Sequence, residues 1–263
     1  MPNLKAPNLF RLTIAFLLCC TFAVPMQAQN GVYTNLKDAI ANKDEVRILR
    51  LSNQNLKSLP EEIGTMRSLH TLEVPGNQLS AFPESFSDLI MLKKITISNN
   101  KFTTLPESLC RLTHLEKLDA SNNQLTSIPE CISGILTLKE LSLSNNQLTA
   151  LPDNIGEMKG VTVLRVDKNQ LSTVPSSMSA MTSLREVYFG KNKFTEIPAT
   201  ICELKNVSKI SFWNNQITTL PDCMGQMKKL RWLRMIGNTM DKKEIKRHKK
   251  IFGKDRVSLI IYE

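Results

Sequence analysis

Apolar residues recur along most of this chain with a period of 23 residues. Each unit has apolar residues at its first, fourth and sixth places, while its third, fifth and seventh places are mostly polar, as in the segment 138–144. This alternation with a period of two predicts a short, half-buried β-strand near the start of each unit. Eight full units, 46–229, and a truncated ninth unit from Leu230 keep this register. A period of this length predicts a solenoid in which the strands of successive units stack.

Proline and asparagine follow the same period. Proline lies at Pro60 and at every twenty-third residue up to Pro221, and asparagine holds the ninth place of each unit from Asn77 to Asn238, with Gln54 in the first unit. The asparagine amide comes where the chain leaves the strand, and it can bond to the backbone of the turn and of the next unit. The proline fixes φ and lacks an N–H, which disfavours a long helix on the outer side. We therefore expect short 3-10 or irregular segments there.

The consensus of the units, L-x-x-L-x-L-x-x-N-x-L-x-x-L-P-x-x-I-x-x-L-x-x, resembles the leucine-rich repeat family in its 23-residue Leu-Pro class. All seven apolar places are apolar in all eight full units, and the resemblance covers Val46 to about Met240. It implies an α/β fold, a right-handed horseshoe-shaped solenoid with a parallel sheet on its concave face. It also implies an exported protein of bacterial type, whose concave face is the usual ligand surface.

The segment 1–28 has the order of a secretory signal peptide. Two basic residues and no acidic residue precede the apolar run 12–24. This run is too short to span a bilayer. We expect cleavage at the end of this segment, with cleavage after Ala23 as an alternative. Lipidation of Cys19 or Cys20 is a further alternative. The sequence therefore predicts a secreted, periplasmic or cell-surface protein.

The open ends of a solenoid would expose its core, so caps are expected in the segments 29–45 and 241–263. In the first cap, Thr34 is predicted to N-cap a helix that runs to about Asn42 and presents Leu36 and Ile40 to the first unit.

In the second cap, a helix is expected from Asp241 to about Phe252, stopped by Gly253 and followed by a strand within 257–262. Its basic residues could bind an anionic surface glycan, lipid or other polymer, or they could simply form a solvated helix face. These residues are Lys242, Lys243, Lys246, Arg247, Lys249 and Lys250.

Four cysteines beyond the signal segment have related places in the repeat. Cys110 and Cys202 hold the nineteenth place of their units, and Cys131 and Cys223 hold the seventeenth place of the following unit. Disulfides Cys110–Cys131 and Cys202–Cys223 would each join adjacent units, with the Cα atoms roughly 6 Å apart, given about 4.8 Å between units and a two-residue offset. Free thiols are the alternative, and they are less common in exported proteins. A zinc site is disfavoured because the two pairs are several units apart.

The chain of 263 residues has a formal net charge of +10 and is 41% hydrophobic, and this apolar fraction disfavours intrinsic disorder. No apolar run beyond the signal segment is long enough to span a bilayer. His70, His114 and His248 lie in different units or in the cap, and the chain has neither an H-E-x-x-H pair nor a phosphate-binding glycine loop. We predict a basic, monomeric, non-enzymatic protein that needs no cofactor or metal and does not bind nucleic acid.

The concave face of the last four units differs from that of the first five, which present charged and small side chains. Exposed Trp, Tyr and Arg side chains on a rigid platform are typical anchors of protein interfaces. We therefore predict that a protein or peptide partner binds the C-terminal half of the concave face. The alternative is that Trp232 packs under the C-terminal cap and the other residues are isolated surface side chains. The candidate binding residues are Arg165, Tyr188, Trp213, Trp232 and Arg234.

Overall fold

The computed structural model describes residues 29–252 and 260–261, so the predicted signal segment and the predicted helix stop at Gly253 lie outside the described residues. The described residues contain one open sheet of eleven parallel strands in sequence order. The strands are β1 Val32–Tyr33, β2 Ile48–Arg50, β3 Thr71–Glu73, β4 Lys94–Thr96, β5 Lys117–Asp119, β6 Glu140–Ser142, β7 Val163–Arg165, β8 Glu186–Tyr188, β9 Lys209–Ser211, β10 Trp232–Arg234 and β11 Ile260–Ile261.

The strands of neighbouring units pair without any shift in register. In β3 and β4, for example, Leu72 pairs with Ile95, 23 residues further along the chain. The same spacing holds from β2 to β10. Residues at the same place of different units therefore form straight columns on the sheet, which confirms the predicted leucine-rich repeat solenoid.

The outer side carries short 3-10 helices, as the prolines predict. Most begin directly after the proline, which takes an extended backbone conformation, for example Pro83 with φ −66° and ψ 160°. The apolar places fill one continuous core between these segments and the sheet. The 3-10 helices are Gln29–Gly31, Glu61–Thr65, Glu84–Asp88, Glu107–Arg111, Glu130–Gly134, Ile155–Glu157, Ser176–Ala180, Ala199–Glu203 and Asp222–Gln226.

The asparagines at the ninth place form a ladder of hydrogen bonds. The Asn100 side chain donates to the carbonyl oxygens of Val74 and Ile97, at 3.0 Å each, and accepts from the Leu79 N–H at 3.0 Å. The same pattern recurs through Asn215. An unsatisfied buried backbone group costs about 1–3 kcal/mol, so each asparagine is a substantial part of the contact between units.

The N-terminal cap differs from the prediction at its first residue. The helix α1 spans Leu36–Ala41, and its N-cap is Asn35, whose side chain accepts from the Asp38 N–H at 3.1 Å. Thr34 is therefore not the N-cap, because β1 extends to Tyr33 and moves the start of the helix by one residue. Strand β1, which the pattern did not predict, extends the sheet by pairing with β2.

The C-terminal cap has the predicted order of elements. The helix α2 spans Lys242–Phe252, and the Asp241 carboxylate accepts from the Glu244 N–H at 2.6 Å. Strand β11 lies within the predicted segment 257–262 and pairs with β10.

Both predicted disulfides are present. Cys110 is joined to Cys131, and Cys202 to Cys223, with 5.8 Å between the Cα atoms in each pair. The separation agrees with the value expected from the repeat register. Each bond links the outer sides of two adjacent units.

Candidate functional site

Five residues predicted to bind a partner lie together on the concave face. All are half-buried, and all line one open groove of about 430 Å³. We call this surface the aromatic groove and define it by Arg165, Tyr188, Trp213, Trp232 and Arg234. Strands β7, β8 and β10 carry four of these residues, and Trp213 lies two residues after the end of β9.

The Trp213 indole is held in place by two residues of the same column, the seventh place of the units. Its Nε1 donates to Asp167 Oδ1 at 3.2 Å across two units, and the Gly190 N–H donates to the same oxygen at 2.8 Å. A Cβ atom at Gly190 would lie 1.8 Å from the indole Nε1, so only glycine leaves room for the ring. Burial raises the pKa of the Asp167 carboxyl, while these two hydrogen bonds oppose that rise.

Two cations contact the Trp213 ring. Lys191 Nζ lies 5.1 Å from the ring centroid, and Arg234 Cζ lies 5.2 Å from it. Such cation–π contacts contribute about 0.5–1 kcal/mol each at exposed sites. The indole is therefore fixed in orientation before any partner binds.

Tyr188 forms a second cluster beside Trp213. Arg165 Cζ lies 5.3 Å from its ring centroid, and the Trp232 ring centroid lies 6.3 Å away at a tilt of 55°. The Tyr188 hydroxyl donates to Glu186 at 2.8 Å, and Lys209 Nζ lies 2.7 Å from the same carboxylate. Burial and the Glu186 carboxylate raise the pKa of Tyr188 to about 12, so its hydroxyl remains a donor at neutral pH.

The core beneath the aromatic groove is also aromatic. Phe189 and Phe212 stack at 5.1 Å between ring centroids, and Phe194 contacts both rings at 5.3 and 5.2 Å. All three side chains are fully buried. The groove therefore rests on a closely packed support.

The backbone next to the groove contains two unusual residues. The eighth place of every unit has a left-handed conformation, with φ between 51° and 73°, and it is asparagine or glycine except at Lys168 and Lys191. Lysine disfavours this conformation by about 1–2 kcal/mol, whereas asparagine and glycine adopt it routinely. Backbone strain of this kind is concentrated at functional sites.

The groove is more basic than the rest of the concave face. It is lined by three cations, Arg165, Lys168 and Arg234, and by one acid, Asp167. The hollow over the first units, of about 580 Å³, is lined by equal numbers of both signs. Several of these charges are paired there, for example Lys94 with Glu73 at 2.5 Å.

Sequence reasoning missed the residues that hold the aromatic side chains in position. These are Asp167, Gly190, Lys191, Glu186 and Lys209. A signal was present, because aspartate and glycine replace the serine that is usual at the seventh place. The column alone does not show that an indole reaches across two units.

In the C-terminal cap, Arg247 is engaged in contacts that attach α2 to the last full unit. It bonds to Asp222, Glu244 and the Leu220 carbonyl, and the Glu244 carboxylate raises its pKa. The remaining cations of the predicted basic patch with described side chains are exposed, namely Lys242, Lys243, Lys246 and Lys250. The side chain of Lys249 is not among those described.

The described part of the chain contains no cluster of His, Cys, Asp and Glu side chains suited to a metal ion. None of its helices has the length and apolarity needed to cross a bilayer.

Comparison with known proteins shows the family. A family model of a leucine-rich repeat region matches residues 32–141 and 121–253. No curated protein matches the sequence. A solved structure of a leucine-rich repeat protein from Leptospira interrogans is similar over 83% of this chain and 97% of its own, with 21% identity and a TM-score of 0.38. From the family match, and from the stacked 23-residue units, the chain belongs to the leucine-rich repeat family.

Proposed function

We propose that this protein is an exported, non-enzymatic binding module that holds a protein or peptide partner in its aromatic groove. The observation that carries the proposal is the fixed Trp213 indole, bonded to Asp167 and seated over Gly190. An aromatic ring fixed in this way loses little conformational entropy when a partner covers it. Export is supported by the two disulfides, which are typical of oxidising compartments, and by the order of residues in the segment 1–28.

The basic excess at the groove also bears on the kind of partner. Arg165, Lys168 and Arg234 line it, and the carboxylate of Asp167 already accepts two hydrogen bonds. A partner segment with an aromatic or apolar anchor and adjacent carboxylates matches this surface. We also propose, from the repeat consensus, that the protein is of bacterial origin and belongs to the 23-residue Leu-Pro class.

The test is peptide selection on the immobilised protein, followed by calorimetry of the selected peptides with single variants. We expect Trp213→Ala and Tyr188→Ala each to weaken binding by at least tenfold, since buried aromatic anchors contribute about 2 kcal/mol or more. The matched control is Thr96→Ala, a half-buried residue on the same face in the fourth strand. Equal affinities for all three variants would refute the proposal.

The alternative site is the C-terminal cap, where Lys243, Lys246 and Lys250 line a groove of about 720 Å³. Replacing these three lysines by glutamine should leave peptide binding at the aromatic groove largely intact. Loss of binding in that variant, with Trp213→Ala unaffected, would assign the function to the cap instead.

A further inference from the structure

One flank of the solenoid is strongly basic and lies outside the aromatic groove. The strand-entry flank, as we name it, comprises the second place of each unit, directly before a strand, and the last two places of the preceding unit. Backbone hydrogen bonds stack its second places, since the Lys139 N–H donates to the Glu116 carbonyl and the Thr162 N–H to the Lys139 carbonyl, at 2.8 Å each. Arg231 donates to the Lys228 carbonyl at 2.8 Å, so the two kinds of place are adjacent.

The charge of this flank is almost entirely of one sign. Within the described repeat units its only acidic residue is Glu116, against ten exposed lysines and arginines, while Asp44 and Glu45 of the N-terminal cap precede the first unit. Within the repeat units, these places carry a formal net charge of +9. Ion pairs among the described residues involve only Arg67 and Lys139 of this set. The ten are Arg47, Arg67, Lys93, Lys139, Lys159, Arg185, Lys205, Lys228, Lys229 and Arg231.

Half of these cations form a regular row. They hold the second place of every other unit, 46 residues apart, from the first unit to the ninth. At about 4.8 Å between units, neighbouring members lie roughly 10 Å apart and the row is about 40 Å long. An extended contact surface is therefore available, rather than a single anion site. The row consists of Arg47, Lys93, Lys139, Arg185 and Arg231.

The same flank carries the exposed large hydrophobic side chains of the described chain. Ile90 is 52% exposed, Met91 37% and Leu136 68%, and all three hold the last two places of their units. Exposed apolar side chains among cations are typical of proteins that lie on a membrane, with the apolar tips among the acyl chains and the cations at anionic headgroups. An acidic glycan or a nucleic acid would use the cations and leave the apolar side chains unexplained.

We propose that the strand-entry flank binds the surface of an anionic lipid bilayer. Cations of the row neutralise headgroups, while Ile90, Met91 and Leu136 insert between them. The concave face does not contribute to this contact, so the aromatic groove remains open to a partner while the protein lies on the membrane.

The test is co-sedimentation with vesicles of phosphatidylcholine alone and of phosphatidylcholine mixed with phosphatidylserine. We expect binding to the mixed vesicles that weakens with salt. The variant Lys93→Gln/Lys139→Gln/Arg185→Gln should partition about a hundredfold less, since each surface cation contributes about fivefold. All variants carry the same N-terminal segment, so its contribution cancels.

A matched control removes three exposed lysines from the opposite side, where the chain leaves the strands. The variant Lys57→Gln/Lys101→Gln/Lys193→Gln has the same net charge and should bind vesicles within a few-fold of the parent protein. Equal losses in both triple variants would show that net charge alone acts, and would overturn the proposal.

The apolar part is tested with Leu136→Ser, which should lower binding to mixed vesicles by about tenfold and leave binding to heparin unchanged. No effect on vesicles, together with tight heparin binding through the row, would identify a soluble polyanion as the ligand and overturn the proposal. Trp213→Ala should leave vesicle binding unchanged, and a loss there would place the membrane contact on the concave face. Circular dichroism of each variant confirms that it is folded.

Discussion

Replacing Gly190 by alanine tests how the aromatic groove is built. Its φ is not left-handed, so the added Cβ acts mainly by its position, 1.8 Å from Trp213 Nε1. The indole must move away and lose its hydrogen bond to the Asp167 carboxylate, which is worth about 1.5–3 kcal/mol. It also loses cation–π contacts worth about 0.5–1 kcal/mol each. We expect Gly190→Ala to lower stability by about 2.5–5 kcal/mol.

The measurement combines denaturant unfolding with tryptophan fluorescence in a Trp232→Phe background, where the emission reports Trp213 alone. We expect a red shift, because the displaced indole meets more water, and a Tm lower by roughly 5–20 °C. Gly134→Ala is the matched control, since no atom lies within 4 Å of a Cβ at Gly134. Unchanged emission and stability in Gly190→Ala would refute the packing derived for Trp213.

Three further predictions concern stability. Lys191→Asn should raise the free energy of unfolding by up to about 1 kcal/mol in urea titrations, because relief of the left-handed φ of 51° outweighs the loss of the cation–π contact with Trp213. The pKa of Glu186 lies below its ordinary 4.5, mainly because Lys209 donates a hydrogen bond to its carboxylate. The ionised carboxylate therefore stabilises the folded protein above pH 4.5, and this stabilisation is lost as the pH falls through the lowered pKa. Glu186→Gln should thus be less stable than the parent at pH 7, by up to about 1 kcal/mol. In unfolding measurements at a pH below the lowered pKa of Glu186, the two proteins should be equally stable. Cys110→Ser with Cys131→Ser should cost about 3 kcal/mol in thermal unfolding, and an unchanged Tm would contradict the closure of a loop of 21 residues.

The repeat period was sufficient to predict which residues become neighbours. Cys202 and Cys223 could be paired, and Tyr188 could be placed beside Arg165, because strands that stack without a register shift turn sequence places into columns. The period does not determine the direction of a long side chain, so the reach of Trp213 to Asp167 was missed.

The sequence also could not decide which of two neighbouring residues of similar chemistry caps a helix. Thr34 and Asn35 can both cap a helix, and the choice depended on where β1 ends, which is set by pairing with β2. The strand-entry flank combines residues from the end of one unit with residues from the start of the next. The sequence pattern alone does not show that these residues lie side by side, because that depends on the turn between the two units.

The position of the second disulfide has a mechanical consequence for the groove. Each unit of a solenoid contacts only its neighbours, so the stack can flex at the contacts between units. Cys202 and Cys223 link, on the outside, the same two units that carry Tyr188 and Trp213 on the inside. The disulfide limits how far these two units can rotate relative to each other, so the curvature of the sheet is fixed at the proposed binding site.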